Sequence, residues 1–306
     1  MFSVVRRSTY TATLLSAVLF PLALPNEIFP MGNPILGLVA LTPLYVAFRE
    51  TRSPQQATLV GVIFGGVSTF LANYWLMFFG EYSVWTIGGT TLGYMLYNAI
   101  LGPFLWRALR APRAYRPLLF ALVWTGYEYL KSVGFLAYPW GLAAYPFNMI
   151  IPLIQVVGIT GVWGLTFIVV YGHAILAEVI MNRDERAGMV MAARHAVLFG
   201  ILLAGVLSYG FVMVNRPIPT DGTLRAVLVQ QNADSWNTRD IAAPLKSAQE
   251  ITDRGLDEMP NPDLIVWSET SLRFLYNSEY GRRWYASNPE PESLTQFLSR
   301  LPAPLM

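Results

Sequence analysis

Along the first two thirds of the chain, long apolar blocks alternate with short breaks in which proline, glycine and arginine collect. A hydrocarbon core of about 30 Å takes about 20 helical residues at about 1.5 Å each, so blocks of this order read as membrane-spanning helices. They predict seven spans, over Tyr10–Pro25, Pro34–Phe48, Ala57–Phe79, Val84–Trp106, Pro117–Val133, Ile159–Met181 and Ala196–Val214, the second shortened by Pro34 and Pro43. The pattern changes after the proline-rich hinge Arg216–Pro219. There Leu224–Gln230 is short, β-branched and bounded by turn residues, which predicts a buried strand. A helix follows from Pro244, where Leu245, Ala248, Ile251 and Thr252 recur at helical spacing up to the Pro260–Pro262 break. Leu264–Trp267 is then a second strand, and Glu292–Leu301 a second helix whose apolar stripe is Leu294, Phe297, Leu298 and Leu301. Strand, helix, strand, helix implies a parallel sheet, so the chain divides into a transmembrane helical bundle over 1–215 and an α/β domain beginning at 216–306.

Composition supports that division. The chain is 54% hydrophobic and 13% charged, against ~25% charged in soluble domains. Nineteen charged residues precede Arg216 and 21 follow from it onward, in less than half as many positions. The net charge of +2 and the scattering of arginines in short clusters exclude nucleic acid as a natural partner. The absence of cysteine removes disulfides, thiolate-bound zinc and any thiol nucleophile.

Short loops rich in arginine and lysine stay on the cytoplasmic side. With the N-terminus inside, Arg6, Arg7, Arg49, Arg52, Arg107, Arg110, Arg113, Arg116, Arg183, Arg186 and Arg194 are cytoplasmic, whereas the opposite connections carry Lys131 alone. Seven spans then put the terminal domain across the membrane. The basic start and first apolar block also fit a cleaved signal peptide, but no small-x-small site precedes Asn26 and the apolar pattern resumes at once.

Inside the spans, Gly61 with Gly65 and Gly89 with Gly93 have the small-xxx-small spacing of close helix contacts. Glu128 and Lys131 are three apart, near enough to pair on one helix face, whether at the interface or in a functional role. His173 reads as a hydrogen-bonded residue between helices rather than a proton relay. The aromatic, proline-broken segment Phe135–Phe147 suits an interfacial or re-entrant loop, either as part of an aromatic belt or gripping a lipid chain through residues such as Tyr138 and Trp140. In the terminal domain, Glu269 follows the second strand by two residues, where parallel sheets place ligands and catalytic groups.

Taken in order, seven spans, Tyr74–Trp75, YEYLKSVGFLAYPWG from Tyr127, GITGVWGLTF over Gly158–Phe167, VLVQQN, Trp236 and DLIVWSET resemble the bacterial apolipoprotein N-acyltransferases. The resemblance implies an inner-membrane helical bundle carrying a periplasmic nitrilase-like (carbon–nitrogen hydrolase) domain, an αββα sandwich. It implies ping-pong acyl transfer from a phospholipid, typically phosphatidylethanolamine, through a thioester to the α-amine of a diacylglyceryl-cysteine on a lipoprotein. Glu269 matches the family's general base, and Trp236 a tryptophan of its substrate-facing loop; no cofactor or metal is implied. Ser268 stands where the family has proline before this glutamate. The family's lysine and cysteine belong to later strands, so the 306-residue chain is expected to be a fragment, a frameshifted product or half of a split enzyme, inactive alone unless a second chain supplies both. The alternative class is a non-enzymatic membrane scaffold or lipid-binding subunit. A transporter is disfavoured because paired, broken half-repeats are not apparent.

Overall fold

The computed structural model describes residues 2–134, 137–217, 220, 222–232, 242–269, 271–272, 274–287 and 292–305, without the side chains of residues 2–7. Two units emerge, Met1–Arg216 and Pro217–Met306.

The first unit is helical: α1 (Phe2–Ala23), α2 (Pro34–Gly37), α3 (Thr42–Glu50), α4 (Pro54–Ala72), α5 (Ser83–Ala108), α6 (Arg116–Lys131), α7 (Ile151–Ile154), α8 (Val157–Met181) and α9 (Arg186–Val214). Local chemistry accounts for several boundaries. The Ser53 hydroxyl caps α4 by accepting from Gln56 N at 3.2 Å, and Pro54 occupies its first turn. The Asn33 side chain caps α2 in the same way. Three helices, α4, α8 and α9, are long and apolar enough to cross a membrane. Others turn apolar faces outward, as α5 does with Leu92, Leu96, Ile100 and Phe104, each about 60% exposed. Lipid is the solvent such a stripe requires.

Three expectations need correction. The second expected span, Pro34–Phe48, is broken into α2 and the nine-residue α3, which at about 1.5 Å per residue is too short to cross unaided. The third expected span ends as an α-helix at Ala72, and Tyr74–Phe78 winds into a tighter 3₁₀ segment. Of the two glycine pairs, only the first lies in a helix contact. A Cβ at Gly65 would come within 2.7 Å of the Tyr94 carbonyl oxygen, and one at Gly61 would collide with that of Asn98, so α4 and α5 touch through their backbones. Gly89 and Gly93 have nothing within 4 Å of that position.

The arginine-bearing connections gather at one end of this unit. Arg49 donates to the Leu109 carbonyl at 3.2 Å and faces Glu178 at 3.9 Å, Arg110 donates to the Thr51 carbonyl, and Arg113 pairs with Glu185. Tyr45 and Asn182 also donate to the buried Glu178 carboxylate. Near its start α8 is bent at Gly161, whose φ of 65° and ψ of −178° suit glycine alone. His173 is buried on α8, and its ring faces the backbone of Gly37 on α2, between helices as expected of it.

The second unit contains β1 (Ala226–Val229), α10 (Ala243–Glu258), β2 (Leu264–Trp267), α11 (Glu279–Ser287) and α12 (Leu294–Arg300). The strands pair in parallel, with Ala226 opposite Leu264 and Val229 opposite Trp267, as their order in sequence requires. On the other side of β2, Leu305 makes an isolated parallel bridge to Ile265, and Ile265 N donates to the Pro304 carbonyl at 3.0 Å. The core joins Val227, Val229, Ile265 and Trp267 to Leu245, Ala248, Leu294 and Phe297 from the helices. Trp267 Nε1 donates to Thr252 Oγ1 at 2.9 Å, fixing the end of β2 against α10. A reciprocal capping box between Ser293 and Gln296 starts α12.

Candidate functional site

The buried polar centre of the first unit forms around α6. The Glu128 side chain is fully buried and accepts three hydrogen bonds: Trp124 Nε1 at 2.9 Å and Ala143 N at 2.9 Å on Oε1, and Thr166 Oγ1 at 2.8 Å on Oε2. One carboxylate thereby joins α6, α8 and the loop after α6. Three residues on, Lys131 turns elsewhere, donating to the Trp140 carbonyl at 3.3 Å and the Gly141 carbonyl at 3.1 Å. Its ammonium lies 5.6 Å and 5.5 Å from the ring centres of Tyr94 and Tyr127. The expectation of a pair at the interface is therefore replaced by two buried groups that each hold the same loop.

That loop is the aromatic segment singled out in the sequence; Phe135 and Leu136 lie outside the described residues. From Ala137 onward it folds into the unit and buries Leu142, Ala143, Ala144 and Phe147. Tyr138 donates its hydroxyl to Asn73 Oδ1 at 2.7 Å, while its carbonyl accepts from Tyr94 OH at 2.7 Å. Trp140 is 55% exposed, with its ring 5.7 Å from that of Trp75 and 6.1 Å from Tyr138. The two tryptophans border a cleft of about 420 Å³, whose wall also includes Glu27, Asn73, Tyr74 and Tyr145. Behind it, a cavity of about 30 Å³ reaches Lys131, Asn98 and Tyr127. Such a wall offers flat apolar faces with a few polar groups, the usual make-up of a small-molecule site.

Sequence reasoning found Tyr138 and Trp140 but missed Glu27 and Asn73. The available signal was the proline-bracketed run Pro25–Pro30, whose polar pair Asn26–Glu27 interrupts apolar surroundings.

In the second unit, Glu269 is exposed, two residues beyond the carboxyl end of β2. The turn before it is tied to the end of β1: Ser268 Oγ donates to Gln231 Oε1 at 2.8 Å, and Gln231 Nε2 donates to Ser271 Oγ at 2.9 Å. Ser268 N also donates to the Val229 carbonyl at 3.2 Å. The serine found in place of the family's proline is thus a member of this clamp. Trp236 lies outside the described residues. Among the described residues no group of three or more acidic or histidine side chains could hold a metal ion.

Residues 16–175, just over half of the chain, match the apolipoprotein N-acyltransferase N-terminal domain. The chain belongs to the apolipoprotein N-acyltransferase family. The matched stretch contains Glu27, Asn73, Glu128, Lys131 and Trp140, so the cleft and the groups that hold its loop fall within the family's N-terminal domain. Among its relatives is apolipoprotein N-acyltransferase 2 of Treponema pallidum, 33% identical over 95% of this chain and 56% of the relative. The protein of the same name from Treponema denticola is 32% identical over 95% of this chain and 57% of the relative. The apolipoprotein N-acyltransferase of Borreliella burgdorferi is 30% identical over 86% of this chain and 50% of its own length. The chain spans about half the length of these curated relatives.

Proposed function

We propose that this chain supplies the membrane part and the first catalytic carboxylate of an enzyme that N-acylates lipoproteins. A thiolate attacks a fatty ester carbonyl of a phospholipid, typically phosphatidylethanolamine, forming a thioester and releasing a lysophospholipid alkoxide. Glu269 takes the thiol proton and returns it to that alkoxide. The neutral α-amine of a diacylglyceryl-cysteine then attacks the thioester, Glu269 takes a proton from the attacking nitrogen and passes it to the departing thiolate, and the amide and the free thiol result. With no cysteine among the 306 residues, the nucleophile and the cation that steadies the tetrahedral oxyanion come from outside them, in further sequence or a second chain. The chain by itself transfers no acyl group in this scheme.

The observation that carries this reading is the position of Glu269, at the carboxyl edge of a parallel ladder, on a turn held from both strands by Gln231 and Ser268. Family membership supports the reaction class. Trp140 and Tyr138 line and support the lipid side, Trp236 serves substrate binding, and the second unit is the first part of a nitrilase-like αββα sandwich completed by further strands. If the broken α2–α3 piece together makes one traverse beside the six long helices, the N-terminus is cytoplasmic and the second unit is across the bacterial inner membrane, in the periplasm, a placement that fits the gathering of arginines at one end of the helices.

In a protein completed with the missing lysine and cysteine, Glu269→Gln should abolish thioester formation and leave membrane insertion intact; normal acylation by that variant would remove Glu269 from the mechanism. Acyl transfer by the purified 306-residue chain alone would equally overturn the scheme. The cleft bordered by Trp75 and Trp140 favours one other reading, a lipid-binding subunit that docks a partner. A partner chain bringing no thiol would select it.

A further inference from the structure

We infer that Glu27 makes the 420 Å³ cleft selective for lipids bearing an ammonium group. The inference deepens the acyl-transfer reading, since it names what distinguishes one lipid from another at that cleft.

Among the described residues that line the cleft, Glu27 is the one with a charged side chain; the rest are apolar, aromatic, amide or phenolic. Its place is fixed by its neighbour. Asn26 Nδ2 donates to the Leu22 carbonyl at 3.1 Å and the Leu24 carbonyl at 2.7 Å, while its Oδ1 accepts from Ile28 N at 2.8 Å and Phe29 N at 2.9 Å. Both halves of one amide therefore hold the turn that presents Glu27. The Tyr74 hydroxyl, hydrogen-bonded to the carboxylate, keeps Glu27 below the usual carboxylate range and hence ionised at neutral pH.

Lys131 does not neutralise this charge for an incoming ligand. It lines the smaller cavity behind, is buried, and spends its donors on the Trp140 and Gly141 carbonyls. An anionic headgroup entering the cleft would meet one carboxylate and no cation on the cleft wall. An ammonium would meet the carboxylate and the faces of Trp75 and Trp140, which attract cations through their quadrupoles. Two lipids carry such a group: a phospholipid with a primary amine in its headgroup, and a lipopeptide with a free α-amine.

Lipid retention by the purified 306-residue chain separates these sources without requiring turnover. The chain is incubated with equimolar dioleoyl phosphatidylethanolamine and dioleoyl phosphatidylglycerol, and bound lipid is measured by mass spectrometry. A parallel arm uses a diacylglyceryl-cysteine dipeptide with its amine free or acetylated. The expected result is preferential retention of an amine-bearing lipid, falling about fivefold in Glu27→Gln, the scale of one partly exposed ion pair, and largely kept in Glu27→Asp. A Glu27-dependent preference in the phospholipid arm assigns the site to the headgroup; the same dependence confined to the free-amine dipeptide assigns it to the acceptor. Both support the inference. Unchanged preference in both arms on Glu27→Gln, with thermal stability retained, overturns it. Because no thioester forms in this assay, its failure leaves the acyl-transfer scheme standing, and failure of that scheme leaves a Glu27-dependent preference standing.

Discussion

Replacing Glu128 tests whether one buried carboxylate holds the loop that carries Trp140. In Glu128→Ala, Trp124 Nε1, Ala143 N and Thr166 Oγ1 all lose their acceptor. Thr166 recovers, because a helical threonine can turn its hydroxyl back to a carbonyl of the preceding turn. The indole and the Ala143 amide cannot, and each stranded buried donor costs roughly 1–3 kcal/mol. With the space left by the side chain added, the total is about 3–5 kcal/mol, the range for breaking a buried charged contact. For a unit of this size that corresponds to a fall of about 10 °C in Tm. Glu128→Gln should behave differently. Its amide oxygen can still accept from Trp124 and Ala143, and its NH₂ can donate to a rotated Thr166 hydroxyl, for a net loss of about 1 kcal/mol. Thermal unfolding in detergent measures both variants, and hydrogen exchange at Ala143 reports the loop directly. A Gln variant as unstable as the Ala variant, or an Ala variant with an unchanged Tm and a protected Ala143 amide, would refute the reasoning.

The glycine contacts give an internal control: Gly61→Ala forces α4 away from the Asn98 carbonyl and should cost about 1–3 kcal/mol, whereas Gly89→Ala meets open space and should be neutral or slightly stabilising in the same unfolding assay. Gln231→Ala removes the side-chain link between the ends of β1 and β2 and leaves the Ser268 N bond to the Val229 carbonyl; a stability loss of about 1 kcal/mol is expected, with a larger drop in thioester formation once the protein is completed. The Arg113 guanidinium beside Glu185 holds that carboxyl below the usual range, so the pair's contribution is intact above about pH 4.3 and is lost as the pH falls through the lowered value. Glu185→Gln should therefore reduce the acid dependence of Tm only below that point; an unchanged acid limb would exclude the pair as its source.

The strands and helices of the second unit were legible because each carries its own signal. Leu264–Trp267 is a β-branched run between turn residues, and Leu294, Phe297 and Leu298 follow helical spacing, so local pattern and final packing agree. Helix α11 escaped because its polar sequence buries little beyond Gly281 and Tyr285, and the Tyr285 hydroxyl that ties it to Phe274 N and O is a tertiary contact. In the first unit, hydropathy located the long helices but could not distinguish a continuous helix from the broken α2–α3 piece, since Leu41, Leu44 and Phe48 are apolar through burial against neighbouring helices rather than through facing lipid. Spacing suggested that Glu128 and Lys131 would meet; apart from Trp124 on the same helix, their actual partners come from the following loop and from α8. The cleft was half visible, since Tyr138 and Trp140 stand in a conspicuous aromatic run while Glu27 stands alone.

The parallel ladder has a kinetic corollary. Each rung between β1 and β2, like the bridge from Ile265 to Leu305, joins residues ~40 positions apart, so no hairpin can nucleate it and every contact first requires a long loop to close. Helices α10 and α12 can wind up quickly from local interactions, whereas the turn bearing Glu269 cannot be set until both strand ends have found each other. Maturation of that carboxylate's surroundings is therefore timed by the slowest event in its own unit.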